Sequence, residues 1–374
     1  MRILEITNYT AGNCGVGMRV LKESKLLSKK GYEVVIFSTN FKKGTNELCH
    51  LEENIEGIKI KRFSAIKSKL AGDSYLIWNF KKEAIKFNPD VIIVHSYRHQ
   101  HTTQALKVAK KLNCKIFLVT HAPFERKDSR LFIQNIGTQV YDLIIGKKTI
   151  NQYDKVISIT KWELPYLYNL GLKNKNIEYI PNGIDNGFFK PIKKIKNIKK
   201  IVYLGRISPI KQLENLIEAM THLDKMKCLI RGPAEIGYYN NLIKIIKTKN
   251  IKNVEIINEA YNSLQQLNIL DKSDIFVLPS KTEGMPQSLI EAMTRGKIVV
   301  ASDNLASRDI IANRKNGFLY ENGNSKNLAE VILSIKELDN SKLNQIAKEA
   351  RKTVEKFNWN KIISKLENVL NSKL

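Results

Sequence analysis

Two glutamates in the second half of the chain stand eight residues apart, between a predicted strand and a predicted helix. The strand 275–278 is followed by a turn that contains Glu283, and the helix begins near Pro286 and carries Glu291. The spacing alone says little, because such carboxylate pairs also arise by chance. The strand–turn–helix setting is more specific, since the backbone N–H groups at a helix start can bind a diphosphate. The segment therefore predicts an anion site flanked by two carboxylates.

A glycine and two basic residues follow another predicted strand. After the strand 201–204 come Gly205, Arg206 and Lys211, and then a predicted helix. A guanidinium can hold a phosphate at two points, and an ammonium adds a compact positive charge. Because ligands of open parallel sheets bind beyond the carboxyl ends of the strands, these side chains are predicted to hold a phosphorylated ligand.

A glycine-rich loop follows the first predicted strand, 3–6, and leads into a helix. Gly12, Gly15 and Gly17 would let the backbone approach a phosphate or a sugar hydroxyl closely. The segment is not the Gly-X-Gly-X-X-Gly fingerprint of a dinucleotide site. A plain tight turn therefore remains open as an equal interpretation.

Histidines follow two further predicted strands of the first half. His121 comes after the strand 116–119, and His95, His99 and His101 follow the strand 91–94. No carboxylate or thiol is close to the group of three in sequence, so we expect no metal there. His95 is predicted to line a cleft and contact an acceptor.

The elements that must position these residues alternate between strand and helix. Short β-branched runs separated by helical periodicity indicate parallel sheets of βαβ units. Two consecutive sets predict two doubly wound domains, 1–185 and 186–355, and a helical stretch at 356–374 is predicted to cross back to the first. The remaining predicted strands are 34–37, 58–60, 91–94, 156–159 and 178–180 in the first set, and 228–230, 254–257 and 298–300 in the second.

Composition narrows the class of protein. A length of 374 residues suits two domains, and the four cysteines stand singly without a Cys-X-X-Cys pair, as expected in a reducing cytoplasm. No apolar run is long enough to span a bilayer, and the N-terminus does not read as a secretory signal. The net charge of +26 is spread along the chain. It indicates either attraction to polyanions such as nucleic acid, anionic lipid or phosphorylated substrates, or simply a solvated basic surface.

The segment that contains the two glutamates resembles a known family. The arrangement of Glu283 and Glu291, with Gly284 after the first and Ala292 after the second, is similar to the hallmark of retaining GT-B glycosyltransferases of family four. The resemblance is near-continuous over residues 178–374 and looser over 1–177. Its further matches are Gly205, Arg206 and Lys211, the segments 181–185 and 316–319, Ser302, Asp303 and Trp359.

The resemblance implies roles for individual residues. Arg206 and Lys211 would neutralise the departing nucleoside diphosphate, and Glu291 would bind the ribose hydroxyls. Glu283 would orient the donor sugar and favour its developing positive charge, and His121 would be the active-site histidine of the first domain. The donor-binding set would comprise Gly12, Gly15, Gly17, Gly205, Arg206, Lys211, Gly284, Met285, Pro286, Gln287, Ser288 and Glu291.

The resemblance also implies a GT-B fold, in which two Rossmann-like domains face each other across a cleft. Cations and a helix start can stabilise a diphosphate leaving group without a metal ion. The sequence contains no Asp-X-Asp triplet that would hold such an ion, so neither a metal nor another cofactor is expected. Met285 and Pro286 stand where the family more often has an aromatic residue and a glycine, which leaves the donor sugar open.

The predicted function is therefore retaining transfer of a hexose-type sugar from a nucleoside-diphosphate sugar to an acceptor hydroxyl, in the synthesis of a glycolipid, cell-envelope polysaccharide or glycoconjugate. A GT-B sugar-nucleotide epimerase or hydrolase is the nearest alternative. A non-enzymatic basic protein that binds polyanions is the alternative of another class. It would be expected to show aromatic platforms or a recognition helix, and neither is evident, so nucleic acid is not an expected partner.

The acceptor and the location follow less directly from the sequence. Arg126, Lys127 and Arg130 come soon after His121 and are candidates for contact with a phosphorylated acceptor. The aromatic stretch 75–82 is predicted to be a helix, packed on the sheet or lying at an anionic membrane surface. In the second case, the candidates for lipid contact are this stretch and the lysines Lys67, Lys69, Lys81, Lys82 and Lys86. The expected location is the cytoplasm, with peripheral association at the inner face of the membrane as an alternative.

Overall fold

The chain divides into two compact units. The computed structural model describes residues 1–12, 14–68, 75–124 and 132–372, without the side chains of 132–134. The first unit comprises Met1–Gly183 together with Asn360–Leu374, and the second comprises Ile184–Trp359.

An eight-stranded sheet forms the centre of the first unit. The strand order is β10-β9-β8-β7-β1-β2-β4-β3, and all neighbours are parallel except β3 and β4. A separate antiparallel pair is formed by β5 and β6. The bounds are β1 Arg2–Ile6, β2 Glu33–Thr39, β3 Glu52–Ile55, β4 Ile58–Phe63, β5 Ala65–Lys67, β6 Leu76–Trp78, β7 Val91–His95, β8 Lys115–Val119, β9 Lys155–Ser158 and β10 Ile177–Tyr179.

Helices connect these strands. A π-helical turn, Asp142–Gly146, continues the helix α4, and 3₁₀ turns lie at Ile150–Gln152 and Asn174–Asn176. The α-helices are α1 Gly15–Lys29, α2 Lys81–Phe87, α3 Gln100–Leu112, α4 Phe132–Tyr141, α5 Lys147–Thr149 and α6 Leu164–Asn169.

A six-stranded parallel sheet forms the centre of the second unit. Its order is β13-β12-β11-β14-β15-β16. The strands are β11 Lys200–Leu204, β12 Lys227–Arg231, β13 Val254–Ile257, β14 Ile275–Leu278, β15 Ile298–Ser302 and β16 Phe318–Tyr320, and the helices are α7 Leu213–Ala219, α8 Ile236–Thr248, α9 Ser263–Asp271, α10 Gln287–Thr294, α11 Leu305–Arg308, α12 Ser325–Lys336 and α13 Asn340–Val354. The last helix of the chain is α14, Trp359–Asn371.

Burial explains why apolar runs predicted these strands so well. Every residue of β7, β14 and β15 is buried, because both faces of a parallel sheet are covered by helices. Such strands read as continuous apolar segments and not as alternating ones. The prediction of two doubly wound sheets is confirmed.

Other elements differ from the predictions, and each difference has a physical reason. The strand β3 was not predicted, because it is an exposed edge hairpin with the polar sequence EENI. The predicted helix over 75–82 is wrong: β6 and the start of α2 occupy this stretch, and the buried Trp78 and Phe80 pack in the core. Lys69, a neighbouring candidate for lipid contact, lies outside the described residues.

The C-terminal stretch is helical but interrupted. The helix α13 ends at Val354, and the 3₁₀ turn Glu355–Phe357 separates it from α14. Contacts tie α14 to the first unit: Lys30 Nζ lies 2.6 Å from Glu367 Oε2, and Lys365 Nζ donates to the Tyr179 carbonyl oxygen at 2.6 Å. Within the described residues, no helix combines the length and the apolar composition that crossing a bilayer requires.

Two glycines of the predicted donor loop are required by packing. A Cβ atom on Gly17 would lie 2.5 Å from the Tyr9 carbonyl oxygen, and one on Gly12 would lie 2.4 Å from the Lys43 carbonyl oxygen. Gly12 also has a φ of +80°, which favours glycine. Gly15 has no such neighbour within 4 Å. Packing therefore accounts for Gly12 and Gly17 but leaves Gly15 unexplained.

We predict that Gly17→Ala lowers the free energy of unfolding by about 1–3 kcal/mol, because the new methyl group overlaps a backbone oxygen that cannot move freely. Gly15→Ala is the matched control in the same helical turn and should change stability by less than about 1 kcal/mol. Urea denaturation of both variants measures the difference. Equal stabilities would contradict the packing explanation.

Candidate active site

The strand order of the second unit places a crevice at a defined position. Starting from its first strand, β11, the order runs in opposite directions on the two sides, so β11 and β14 form the topological switch point of the sheet. Ligands of such sheets bind beyond the carboxyl ends of the strands at this point. Arg206 follows β11 and Glu283 follows β14, so the predicted donor residues lie at the switch point.

Lys211 and Glu283 are in direct contact. Lys211 Nζ lies 2.5 Å from Glu283 Oε1, and the side chains are 17% and 13% exposed. Ser280 Oγ donates to the same carboxylate oxygen at 2.6 Å. The carboxylate is thereby oriented by a cation and a hydroxyl group.

The two loops that carry this pair are joined through the backbone. Lys281 N donates at 2.9 Å to the carbonyl oxygen of Ile210, the middle residue of the 3₁₀ turn Pro209–Lys211 that holds the lysine. The Ser280 carbonyl oxygen accepts from Ser302 Oγ and, at 3.0 Å, from Asn304 Nδ2. The end of β15 therefore supports the turn of Glu283.

Arg206 is placed differently from Lys211. Its side chain is 49% exposed, and its NH1 atom lies 3.9 Å from Glu235 Oε1. Its carbonyl oxygen accepts from the hydroxyl group of the buried Tyr203 at 2.7 Å. Burial first, and then the negative charge of Glu283, raise the pKa of this hydroxyl group, while Arg206 lowers it. Tyr203 thus lies within electrostatic range of both predicted donor residues.

Glu291 lies inside α10 and accepts one short hydrogen bond. Gln266 Nε2 donates to Glu291 Oε2 at 2.5 Å. Burial raises the pKa of the Glu291 carboxyl group to about 7, with a smaller contribution in the same direction from the charge of Asp185. Near neutral pH this group can therefore gain or lose a proton when a ligand binds.

Sequence reasoning missed several residues of this site. Tyr203 and Tyr261 interact electrostatically with the two carboxylates. The pKa of the Tyr261 hydroxyl group is raised by burial and by the charge of Glu291, and Tyr261 in turn raises the pKa of the Tyr203 hydroxyl group. Gln266 and Ser280 hold the two carboxylates. None of these residues stands out by spacing: Tyr203 and Gln266 lie within β11 and α9, whose packing decides where they point, and Tyr261 and Ser280 lie in loops without a motif.

The remaining donor residues predicted in the second unit follow either β14 or β11 in sequence. Gly284, Met285 and Pro286 lie in the turn after β14, and Gln287 and Ser288 begin α10. Gly205 follows β11 directly. The predicted acceptor residues Arg126, Lys127 and Arg130 lie outside the described residues.

In the first unit, His121 lies at the end of a chain of buried polar groups. Its Nε2 atom is 3.0 Å from His95 Nδ1, and His95 Nε2 is 2.6 Å from Glu5 Oε2. His95 is fully buried, so the prediction that its side chain contacts an acceptor is wrong. Because His95 contacts His121, it can influence a ligand only indirectly, through His121. Glu5 was missed because it stands in the middle of β1 and not after it.

The group of three histidines does not form a metal site in the described part of the chain. Metal-ligating side chains instead come together at Glu5, Glu23 and His95, whose ligand atoms lie within 4.8 Å of one another. Arg19 Nε donates to Glu23 Oε2 there at 3.1 Å. A guanidinium cation therefore already neutralises one carboxylate, and we assign no metal to this group.

Two Rossmann-like units, each with polar groups at the carboxyl ends of parallel strands, are the architecture of GT-B glycosyltransferases. The structure of the Anabaena protein HepE in complex with UDP aligns over 100% of both chains with a TM-score of 0.78 and 17% identity. Sucrose-phosphate synthase from Thermosynechococcus elongatus aligns over 98% of each chain with a TM-score of 0.77 and 18% identity. At these identities the likeness establishes the fold.

Sequence comparison establishes the family. The family described as Glycosyl transferases group 1 matches residues 186–353, and the one described as Glycosyltransferase Family 4 matches residues 14–188. The two family models together cover both halves of the chain, which therefore belongs to glycosyltransferase family four and is a glycosyltransferase. It is 26% identical to an uncharacterized glycosyltransferase of Methanocaldococcus jannaschii, over 95% of this chain and 94% of the relative. It is 25% identical to the putative colanic acid biosynthesis glycosyltransferase WcaL of Escherichia coli, over 86% and 79%.

We predict that Lys211 and Glu283 are energetically coupled. A double-mutant cycle with Lys211→Met and Glu283→Gln should give a coupling energy of about 1–3 kcal/mol in urea denaturation, because each single change leaves a mostly buried polar partner behind. The exposed pair Lys249 and Glu218, 2.9 Å apart and 48% and 37% exposed, is the control. Its coupling should stay below about 0.5 kcal/mol. Equal coupling in both cycles would show that the first pair is only a surface contact.

Proposed function

We propose that the protein transfers a hexose-type sugar from a nucleoside-diphosphate sugar to an acceptor hydroxyl group with retention of anomeric configuration, in the synthesis of a cell-envelope polysaccharide or glycolipid. The observation that carries this proposal is the contact of Lys211 with Glu283 at the switch point of the second unit. This contact places a cation that would bind the leaving diphosphate directly beside a carboxylate that would bind the sugar.

Relatives support the substrate class. The capsular polysaccharide glycosyltransferase CapH of Staphylococcus aureus and a galactosyltransferase of Escherichia coli that acts on a diphosphoundecaprenol acceptor are 26% and 28% identical over parts of the chain. The HepE structure has also been solved with UDP and glucose. We therefore propose a UDP-sugar as the first donor to test and a lipid-linked sugar as the acceptor.

Arg206, Lys211 and Glu283 would each bind a different part of the donor or act at a different step. The half-exposed Arg206 would bind the diphosphate first, because its guanidinium is the more accessible of the two cations. Lys211 would exchange part of its contact with Glu283 for the diphosphate oxygens. Glu283 would then orient the sugar hydroxyl groups and stabilise the positive charge that develops at the anomeric carbon.

Cationic side chains together with the start of α10 account for leaving-group stabilisation in this proposal without a metal ion. Retention follows from the resemblance to the retaining enzymes of the family. The first unit would supply the acceptor, with His121 as its active-site histidine. Glu283 is proposed to stabilise and position the sugar and not to attack it.

An apolar stripe on the first unit supports peripheral membrane association. Ile136, Val140, Leu143 and Ile144 are between 45% and 63% exposed and follow one another at helical spacing along α4 and its π turn. The exposed Lys147 continues this helix. Apolar side chains next to basic ones suit the interface of an anionic bilayer, where a lipid-linked acceptor would reside.

The test of the proposed function is sugar transfer itself. Nucleotides and nucleoside-diphosphate sugars are first ranked by thermal shift, and the stabilising donor is then incubated with membrane extract or water-soluble sugar acceptors. We expect acceptor-dependent transfer, with an axial product linkage from an axial donor by NMR. Lys211→Ala and Glu283→Ala should each lower kcat/KM by about 100-fold or more while the protein stays folded.

Each alternative has its own outcome in this assay. Lys249→Ala is the matched control for loss of a paired lysine away from the switch point and should retain activity. Turnover of the donor without any acceptor would favour the epimerase or hydrolase. Transfer only to water-soluble acceptors would contradict the lipid-linked acceptor, and near-normal turnover of both site variants would refute the site assignment.

The pKa of Glu291 makes donor binding depend on pH. Ribose hydroxyl groups donate to an ionised carboxylate, so binding favours the ionised form, and with a pKa of about 7 in the free protein the affinity should rise about tenfold from pH 6 to pH 8. Binding should also release a proton, which calorimetry in two buffers detects. Glu291→Gln should bind more weakly and without this dependence. An equal pH dependence in that variant would assign it to another group.

A further inference from the structure

A line of polar side chains crosses the interior of the first unit and ends at His121. Arg19 and Glu23 lie on α1, Glu5 lies on β1, and His95 is the last residue of β7. The first four are at most 3% exposed, and His121, after β8, is partly exposed. Because β1, β7 and β8 are neighbours in the sheet, each group can reach the next one.

The contacts along this line restrict which ring nitrogens of His95 and His121 can carry a proton. His95 Nε2 lies 2.6 Å from Glu5 Oε2, and His95 Nδ1 lies 3.0 Å from His121 Nε2. A neutral imidazole has one donor and one acceptor nitrogen. Whatever Glu5 offers to His95 therefore decides which nitrogen of His121 carries the proton.

Both rings are neutral, because His95 is fully buried and His121 is mostly buried. Burial lowers the pKa of His95 to about 3 and lowers the pKa of His121 well below its usual range, and Arg19 acts on both in the same direction. His101 adds no charge to this group, since burial lowers its pKa to about 4, and its Nε2 atom bonds the His95 carbonyl oxygen at 2.7 Å.

The two carboxyl groups lie close together and are charged less readily than usual. Burial raises the pKa of Glu5 to about 8 and also raises the pKa of Glu23, while Arg19 compensates only one negative charge. The Oε1 atoms of both glutamates are buried without a hydrogen-bond partner among the described residues, and ligand atoms of the two side chains lie within 4.8 Å of each other. We infer that one proton shared between the two carboxyl groups satisfies both atoms and, together with Arg19, leaves the interior neutral.

This arrangement leaves Glu5 Oε2 as an acceptor. It accepts if Glu5 is ionised, and it also accepts if the proton of Glu5 lies on Oε1 towards Glu23. His95 must then carry its proton on Nε2 and accept through Nδ1, and His121 must donate through Nε2. The assignment is therefore the same in both protonation states of Glu5.

We propose that Glu5 and His95 are positioning residues that fix the ring proton of His121 on Nε2, so that His121 Nδ1 accepts a hydrogen bond from a hydroxyl group of the sugar substrate. The role in substrate binding rests on the proposed function, whereas the position of the proton does not. A neutral acceptor suits a hydroxyl group, which can donate without bringing a charge.

The backbone at His121 supports a functional role. His121 and Ala122 have φ values of +59° and +48°, in the left-handed region that side chains with a Cβ atom rarely adopt. Two consecutive residues of this kind cost free energy that the surroundings must offset. The strained turn directs the imidazole back onto His95.

The proton position is tested first by ¹⁵N NMR of the complete chain with labelled histidines and no substrate. The chain has six histidines, so His95 and His121 are assigned by the loss of a signal in His95→Gln and His121→Gln. We expect Nε2-protonated, neutral rings for both residues from pH 6 to pH 9. A proton on His121 Nδ1, or an equal mixture of tautomers, would overturn the proposal.

Two substitutions of Glu5 test the role in catalysis. In Glu5→Gln the amide oxygen can still accept from His95 while the amide N–H group donates to Glu23, whereas Glu5→Leu removes the acceptor. We expect Glu5→Leu to mix the tautomers of His121 and to lower kcat by about tenfold or more, and Glu5→Gln to recover most of that loss. Equal losses of kcat in the two variants, with unchanged tautomers, would refute a positioning role.

A second pair of variants covers the case in which Glu5→Leu does not fold. His95→Gln offers one donor and one acceptor like the imidazole, whereas His95→Phe keeps the ring shape without either, and the same contrast in tautomer and kcat is expected. Glu163→Gln is the control, because it alters another fully buried glutamate of this unit, one that bonds Thr120 at 2.7 Å. If the unchanged protein transfers no sugar from any donor, the proposed function fails, and the NMR result still decides the position of the proton.

Discussion

The complete burial of the central parallel strands is the constraint on which both candidate sites depend. Helices cover the two faces of each sheet, so side chains in the middle of β7, β14 and β15 have no access to solvent. Polar groups can meet a ligand only where the strands end. The donor residues therefore come from the turns after β11 and β14, and their positions follow from strand order and not from nearness in sequence.

Within the second unit, hydrogen bonds to the backbone join these separate loops into one site. The bond from Lys281 N to the Ile210 carbonyl oxygen fixes the lysine loop to the glutamate turn, and the side chains of Ser302 and Asn304 fix that turn to β15. These hydrogen bonds hold the two loops so that Lys211 contacts Glu283. A site built in this way loses little conformational entropy when a donor binds, which favours affinity.

Residue patterns predicted the sheets, and in the second unit they selected residues that the structure brings together, because strand ends and helix starts leave local signals. The turn with Glu283 and the glycine before Arg206 are such signals, and the structure places Lys211 against Glu283. Tyr203, Gln266 and Glu5 could not be predicted, since they point into a site only because of how their elements pack. The helix expected over β6 was wrong because the buried Leu76 and Trp78 of this short strand suit either element.

Electrostatics distinguishes the two units in a way that agrees with their proposed ligands. In the second unit Lys211 is paired with Glu283, whereas Arg206 contacts the exposed Glu235 at 3.9 Å and stays half exposed, so that its guanidinium is accessible to a diphosphate. In the first unit Arg19 compensates one negative charge, burial raises the pKa of both Glu5 and Glu23, and burial keeps His95 neutral. An uncharged imidazole at the end of a neutral network cannot compete with the cations for a diphosphate. It is therefore suited to a hydroxyl group, and the chemistry of each unit follows from how its buried charges are balanced.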